Sequence, residues 1–127
     1  MRKFRNWLWL LPLLALSVLL SSCGTKSVAD EDILDRARAT NSVTWGVKND
    51  TRLFGLMDIS SGEIKGFDID IAKEVSRRIF GQNVKINLGP VTSQTRIPLL
   101  KNGNVDAIIA TMTNTPDRQK VVDFSDT

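Results

Sequence analysis

The sequence contains no histidine, no tyrosine and only one cysteine. Without histidine the chain lacks the commonest general base of enzymes, and without tyrosine it lacks a common electrophilic group. A single cysteine has no partner for an intrachain disulfide. These absences argue against acid–base catalysis and against a domain that depends on disulfides for its stability.

The sequence also has no apolar run that is long enough to cross a bilayer as a helix. The longest run spans residues 7–20, whereas a spanning helix needs roughly 20 apolar residues. It follows a basic head at residues 2–5 and precedes small residues that end at Cys23. A basic head, an apolar stretch and a group of small residues, in this order, are typical of an export signal.

The segment LSSCG at residues 20–24 resembles a bacterial lipobox. In a lipobox the cysteine thiol is lipidated, and the cysteine becomes the new N-terminus after cleavage. We therefore expect residues 1–22 to be a lipoprotein signal peptide. We expect Cys23 to anchor the protein, outside the cytoplasm, to the cell membrane. The alternatives are a secretory signal with an incidental cysteine and an uncleaved anchor.

The basic character of the whole chain belongs to this signal. Three of the 17 basic residues lie in residues 1–22, which contain no acidic residue, so the rest of the chain carries 14 of each sign. It also contains no run of three or more consecutive basic residues. This balance gives no indication of nucleic-acid binding.

Beyond the signal, helical and alternating patterns of apolar residues follow one another. Strands that alternate with helices form βαβ units and a mainly parallel sheet, and ligands bind beyond the carboxyl ends of its strands. The predicted elements are a helix over 30–40, a strand over 42–48, a loop or hairpin over 49–65, a helix that ends at Gly81, a strand over 84–88, a helix over 92–101, a strand over 105–110 and a short extended piece over 121–124.

The segment after the last of these long strands predicts an anion site. Thr115 is a suitable N-cap, and Pro116 suits the first position of the helix that follows. Free backbone N–H groups at a helix start favour an anion. Arg118, in the first turn, can add a bidentate bond to a carboxylate. The alternative is an ordinary capped helix with a solvated arginine.

Two motifs resemble the solute-binding proteins that serve polar amino-acid ABC importers. The first is GFDIDIAKEV at 66–75, and the second is NGNVDAIIATMT at 102–113 with PDR at 116–118 and VDFS at 122–125. Their order and spacing match the family, and the resemblance extends from about residue 43 to residue 127. It implies an α/β fold of the type II periplasmic-binding-protein class, in which two lobes joined by crossing strands close on an amino acid.

The same resemblance implies roles for individual residues. Arg118 is expected to pair with the α-carboxylate of the ligand, Thr113 to donate to it from backbone and hydroxyl, and Thr111 to contribute a backbone group. Arg96 is expected to reach the ligand side chain, because members that bind aspartate, glutamate or glutamine use an arginine there. Phe54 is expected to pack on the ligand.

Other interpretations of these residues stay open. Arg96 could be a surface arginine near a helix start, and Phe54 could belong to the core. Asp68 and Asp70 could be mistaken for a catalytic pair, but we expect them to cap the helix and to lie at its solvated edge. Two alternate carboxylates also fall short of a calcium loop. No catalytic residue, cofactor or metal ion is expected.

The sequence ends where relatives in the family begin their crossover to the second lobe, which normally supplies an acidic partner for the ligand ammonium. We therefore expect residues 23–40 to form a tether and a leading helix, and residues 41–127 to form the first lobe only, in truncated form. Such a lobe holds half of a site, has an open sheet edge and binds its ligand weakly.

The expected function is that of a lipid-anchored extracytoplasmic receptor of an ABC importer. It would deliver glutamine, glutamate or aspartate to a membrane permease and perform no chemistry. The alternatives are a non-functional fragment, a sensor lobe, or a dehydratase on the same scaffold.

Overall fold

The computed structural model describes residues 32–126. The predicted signal peptide over 1–22, the predicted lipid site at Cys23 and the tether that follows it lie outside these residues. The predicted leading helix is found from Ile33 onward, and Asp32 is its N-cap. Between residues 32 and 126, no helix has both the length and the apolar character that crossing a bilayer requires.

Short strands and helices alternate along the described chain, as the sequence pattern predicts. The strands are β1 (Ser42–Val47), β2 (Asp50–Thr51), β3 (Gly55–Met57), β4 (Ile64–Lys65), β5 (Lys85–Pro90) and β6 (Ala107–Ile109). The helices are α1 (Ile33–Thr40), α2 (Phe67–Phe80), α3 (Arg96–Lys101) and α4 (Pro116–Gln119).

The helix predicted over 92–101 begins only at Arg96, after a turn, and two further segments differ from the prediction. The segment predicted as a loop or hairpin contains β2, β3 and β4, which form an antiparallel sheet. The extended piece predicted over 121–124 is wrong, because it begins with a turn and a bend instead of a strand. The N–H groups of Val121 and Val122 both donate to the carbonyl of Arg118, which continues the curvature of α4.

β1 is the central strand of a parallel sheet with the order β5–β1–β6. Its last residue, Val47, pairs with Pro90 of β5 and with Ile109 of β6. The carboxyl ends of the three strands therefore lie at one edge of the sheet, where ligands of such sheets bind. This arrangement confirms the predicted α/β class with a parallel sheet.

The core lies between β1 and α2. Val47 and Ile69 are completely buried and belong to one apolar cluster. Trp45 donates from Nε1 to the Ser76 hydroxyl over 2.8 Å, and this hydroxyl donates to the carbonyl of Ala72 over 2.7 Å. The Trp45 indole and the buried Ser76 hydroxyl are therefore both hydrogen-bonded, as buried polar groups generally are.

The antiparallel sheet is joined to the start of α2 through its backbone. The N–H of Phe67 donates to the carbonyl of Leu53 over 2.8 Å, and that of Asp68 donates to the carbonyl of Phe54 over 3.0 Å. Gly66, just before them, has a φ of 146°. A Cβ atom at this position would lie 2.3 Å from the Phe54 carbonyl oxygen. Only glycine permits this close approach.

The prediction that Asp68 and Asp70 cap α2 is wrong. Gly66 is the N-cap, and both aspartates lie in the first turn of the helix. Asp70 is exposed, whereas Asp68 is 6% exposed. The turn at Phe54, which accepts the Asp68 N–H, approaches this side of the helix. Only Asp70 therefore lies at a solvated edge.

Asp106 connects β1, β6 and α1 at the amino end of β6. Its Oδ2 accepts from the Thr44 N–H over 2.7 Å, and its own N–H donates to the Thr44 carbonyl over 2.8 Å. Its Oδ1 forms an ion pair with Arg36 of α1. The Asp106 side chain is 9% exposed, so water screens the pair only in part.

Replacement of Asp106 by alanine should lower the free energy of unfolding by about 1–3 kcal/mol, because the Thr44 N–H and the Arg36 guanidinium both lose their acceptor. Urea denaturation of the variant and the parent protein measures this loss. Asp35→Ala is the control, since it breaks only an exposed ion pair with Arg38 and should cost about 0.5 kcal/mol or less. Equal losses in the two variants would contradict the assigned role of Asp106.

Candidate functional site

The carboxyl edge of the parallel sheet is the candidate site. Residues 110–115 follow β6 at this edge, and the loop that leads to Arg96 follows β5. Thr111, Thr113 and Arg118, which the sequence predicts as ligand-binding residues, lie on or directly after the first of these segments. Arg96 reaches the same segment with its side chain, which donates to the Ala110 carbonyl.

Residues 110–115 form an open turn between β6 and α4, which we call the binding turn. Thr111 has a φ of 50°, a conformation that is rare for a β-branched residue. Within residues 32–126, none of the backbone N–H groups of residues 111–115 donates a hydrogen bond. These donors are therefore available to a ligand.

The predicted start of α4 is confirmed in its local details. Thr115 is the N-cap, and its hydroxyl accepts from the Arg118 N–H over 3.4 Å. Pro116 is the first helical residue. The helix has only four residues, however, so the field of aligned peptide dipoles is weak. The anion-binding capacity of this region depends instead on the unbonded N–H groups and on arginine.

Arg118 folds back over the binding turn. Its Nη1 donates to the Thr113 carbonyl over 2.7 Å, and the residue is half-buried. In the part of the chain that the structure describes, no carboxylate forms an ion pair with it. A guanidinium group in this position can bind a carboxylate through two parallel hydrogen bonds.

Arg96 is the most buried cation of the described residues, at 4% exposure. Its Nη1 donates to the Ala110 carbonyl over 3.0 Å, while its Nε is buried and has no hydrogen-bond partner. Burial and, to a lesser extent, the positive charge of Arg118 lower the pKa of Arg96. The alternative of a surface arginine is therefore wrong, and the two arginines lie close enough to repel each other.

Phe54 lies outside the core. It is 43% exposed, so the alternative of core packing is wrong. Its ring meets that of Phe67 edge-on, with 6.5 Å between the ring centroids. The contacts described for Phe54 are with the antiparallel sheet and with α2, so its contact with a ligand stays a prediction.

Two features of this region escape prediction from the sequence. Asp68 is buried, its Oδ2 has no hydrogen-bond partner, and burial raises its pKa. Lys48, directly after β1, forms an ion pair of 2.9 Å with Asp50, and its side chain is only 13% exposed. Neither an isolated aspartate in a helix turn nor a lysine after a strand carries a pattern that reveals its burial.

Other sites are not indicated. Residues 32–126 contain no group of three histidine, cysteine, aspartate or glutamate side chains that could hold a metal ion. An open cavity of about 300 Å³ lies beside α4, between Asn114, Gln119 and Phe124. None of the predicted ligand-binding residues lines this cavity.

Comparison with known proteins identifies the family. Residues 43–127 match the bacterial extracellular solute-binding proteins, family 3, and the chain belongs to this family. It is 51% identical, over 116 residues, to an ABC transporter glutamine-binding protein of Bacillus subtilis. It is 49% identical, over 102 residues, to a glutamine-binding protein of Geobacillus stearothermophilus. The matches cover 86% and 80% of this chain.

The chain spans about two fifths of the length of these curated relatives, 42% and 39% respectively. Among solved structures it is similar to the arginine-bound form of domain 1 from TmArgBP, with a TM-score of 0.65 and 37% identity. The match covers 72% of this chain and 70% of that domain. This similarity confirms the predicted fold, a first-lobe domain of the type II periplasmic-binding-protein class.

Replacement of Asp68 by asparagine should stabilise the protein more at neutral than at acidic pH. Burial raises the pKa of Asp68 above 3.8, so the folded protein retains a proton that the unfolded chain releases. The free energy of unfolding therefore falls as the pH rises from 3.8 through the raised pKa. Asparagine is neutral throughout and avoids this loss.

Urea denaturation at about pH 4 and about pH 7 measures the effect. The stability of Asp68→Asn relative to the parent protein should increase between the two conditions. Asp70→Asn is the matched control, because Asp70 lies in the same helix turn but is exposed. A stability difference for Asp68→Asn that does not change with pH would contradict the prediction.

Proposed function

We propose that the chain binds a polar amino acid as part of the extracytoplasmic solute-binding component of an ABC importer, which delivers its ligand to a membrane permease. The observation that carries the proposal is the binding turn, where unbonded N–H groups lie beside Arg118 and no side-chain carboxylate of the described residues neutralises that arginine. This combination suits a small carboxylate.

The α-carboxylate of the ligand is proposed to bind Arg118 and the N–H groups of Thr111 and Thr113, with the Thr113 hydroxyl as a further donor. Both threonines are exposed, so a ligand can reach them. Charge-assisted hydrogen bonds of this kind are roughly twice as strong as neutral ones. The proposed contacts therefore supply much of the affinity that all amino-acid ligands share.

The ligand side chain is proposed to accept a hydrogen bond from Arg96. Nη2 of Arg96 forms no hydrogen bond within the described residues and, unlike Nε, is not fully buried, so it is the donor that a ligand can reach. The distal oxygen of glutamine, glutamate or aspartate would satisfy it, whereas lysine, arginine and leucine offer no acceptor. The two relatives named as glutamine-binding proteins support this ligand class. Phe54, which is half-exposed, is proposed to pack on the apolar part of the ligand.

Replacement of Arg118 by alanine in the intact protein should weaken glutamine binding by about 2–5 kcal/mol, because the ligand carboxylate loses its charged partner. Isothermal titration with glutamine measures the change. Lys120→Ala is the control, since Lys120 is exposed and pairs with Asp117, and its affinity should match that of the parent.

The same titration tests the ligand class. In the parent protein, glutamine, glutamate or aspartate should compete more strongly than lysine, arginine or leucine. If Arg118→Ala binds glutamine as tightly as the parent protein does, Arg118 does not bind the ligand carboxylate. A preference for a basic or an apolar amino acid would contradict the proposed hydrogen bond from Arg96 to the ligand side chain.

The protein is further proposed to be held at the cell membrane by a lipid on Cys23, after removal of residues 1–22. A lipid anchor would keep the receptor near its permease. The intact mass of the protein, extracted with detergent from its native producer, should correspond to a lipid-modified chain that begins at Cys23. A mass that retains residues 1–22, or a cleaved chain without lipid, would contradict this anchor.

A further inference from the structure

We propose that Arg96 is a positioning residue, which fixes the shape of the binding turn and thereby orients the donors that receive the ligand carboxylate. The inference rests on the proposed function, but it assigns to Arg96 a task that is separate from contact with the ligand side chain. That task is carried by the hydrogen bond from Arg96 Nη1 to the carbonyl of Ala110.

This hydrogen bond acts on one peptide unit. The Ala110 carbonyl and the Thr111 N–H belong to the same planar trans peptide, in which they point in opposite directions. Because the carbonyl points at the buried guanidinium of Arg96, the Thr111 N–H must point away from it. Ala110 is 2% exposed, whereas Thr111 is exposed. Arg96 therefore turns this donor outward, to the accessible side of the binding turn.

The conformation that results is not one that Thr111 adopts by preference. Its φ of 50° lies in the left-handed region, which costs an L-residue energy and is least favourable for a β-branched side chain. A strained residue persists only where its surroundings impose the conformation. Within residues 32–126 the Thr111 N–H donates no hydrogen bond, and the Arg96 bond fixes the peptide on its N-terminal side.

The guanidinium group can hold the turn and still serve the ligand. Its donors lie in one rigid plane, with Nη1 on one edge and Nε together with Nη2 on another. The Nη1 edge is used by Ala110, while the buried Nε has no partner. Nη1 is thus committed to the protein backbone, and Nη2, which is not among the fully buried donors, remains for the distal oxygen of the ligand. A lysine, with a single ammonium group, could not present two fixed edges.

Ligands with and without a distal acceptor distinguish the two tasks of Arg96, which are positioning of the binding turn and contact with the ligand side chain. In the intact protein, Arg96→Met should weaken binding of glutamine and of L-alanine, each by about tenfold or more, as expected when a charged donor is lost. The side chain of alanine has no group that Arg96 could bind, so a loss of alanine affinity reports a change in the binding turn alone. Arg96→Lys should recover part of the alanine affinity. Arg77→Met, at an exposed arginine of α2, is the matched control.

The shape of the turn is measured directly in the unliganded proteins. The NMR coupling constant and chemical shifts of Thr111 report its φ, which should remain positive in the parent protein and in Arg77→Met but change in Arg96→Met. A Thr111 conformation that is the same in Arg96→Met and in the parent would overturn the inference, whatever happens to affinity. If Arg96→Met does not fold, the same measurement on Arg96→Lys tests the inference. An unchanged Thr111 φ together with an unchanged alanine affinity in Arg96→Lys would contradict it.

Failure of the inference and failure of the proposed function give different results. A parent protein that binds none of the amino acids contradicts the proposed function, and the Thr111 φ still tests the positioning role. A parent protein that binds glutamine, with a variant that loses glutamine affinity but keeps both alanine affinity and the Thr111 conformation, overturns the positioning role alone.

Discussion

The parallel pairing of β1 with both of its neighbours is the constraint on which the rest of the structure depends. Because β5 and β6 flank the same strand in the same direction, the segments that follow them emerge side by side. Residues far apart in the sequence, such as Arg96 and Thr111, meet only for this reason. The completely buried side chain of Val47 stabilises the end of β1 where this convergence occurs.

The site that results is electrostatically incomplete. Arg96 and Arg118 repel each other, and neither has a carboxylate partner among the described residues. Bringing a charge out of water is expensive unless hydrogen bonds or an opposite charge compensate for it. Backbone carbonyls compensate in part, since each guanidinium donates to one. The carboxylate of a ligand would compensate for much of the rest. The uncompensated positive charge of the unliganded site would therefore make binding of a carboxylate more favourable.

The sequence was sufficient to predict the elements that depend on local patterns. The central strand, the glycine at the end of α2, and Thr115 and Pro116 at the start of α4 all follow from residue preferences within a few positions. The family motifs further predicted the fold of the lobe and the ligand-binding role of the segment after β6. The ligand contacts proposed for Arg118, Thr113, Thr111, Arg96 and Phe54 stay predictions.

Some of the features that the sequence did not predict involve contacts between segments that are distant in the sequence. Asp68 is buried in a helix turn whose backbone bonds to Phe54, and Arg96 is buried where its Nη1 donates to the carbonyl of Ala110. The positive φ of Thr111 has no local signal, because threonine rarely adopts it. The extended piece expected near Val121 failed because the Arg118 carbonyl accepts two hydrogen bonds from that segment. Tertiary hydrogen bonding therefore acts at Asp68 and Arg96, whereas the bonds to the Arg118 carbonyl are local and continue the curvature of α4.

The hydrogen bond between Trp45 and Ser76 gives this fold a built-in optical reporter. Two of the three tryptophans, Trp7 and Trp9, lie in the proposed signal peptide. Once that segment is removed, the fluorescence of the chain described here comes from a single indole at the junction of the central strand and α2. Within residues 32–126, the emission of this one indole therefore reports the contact between sheet and helix without any added label.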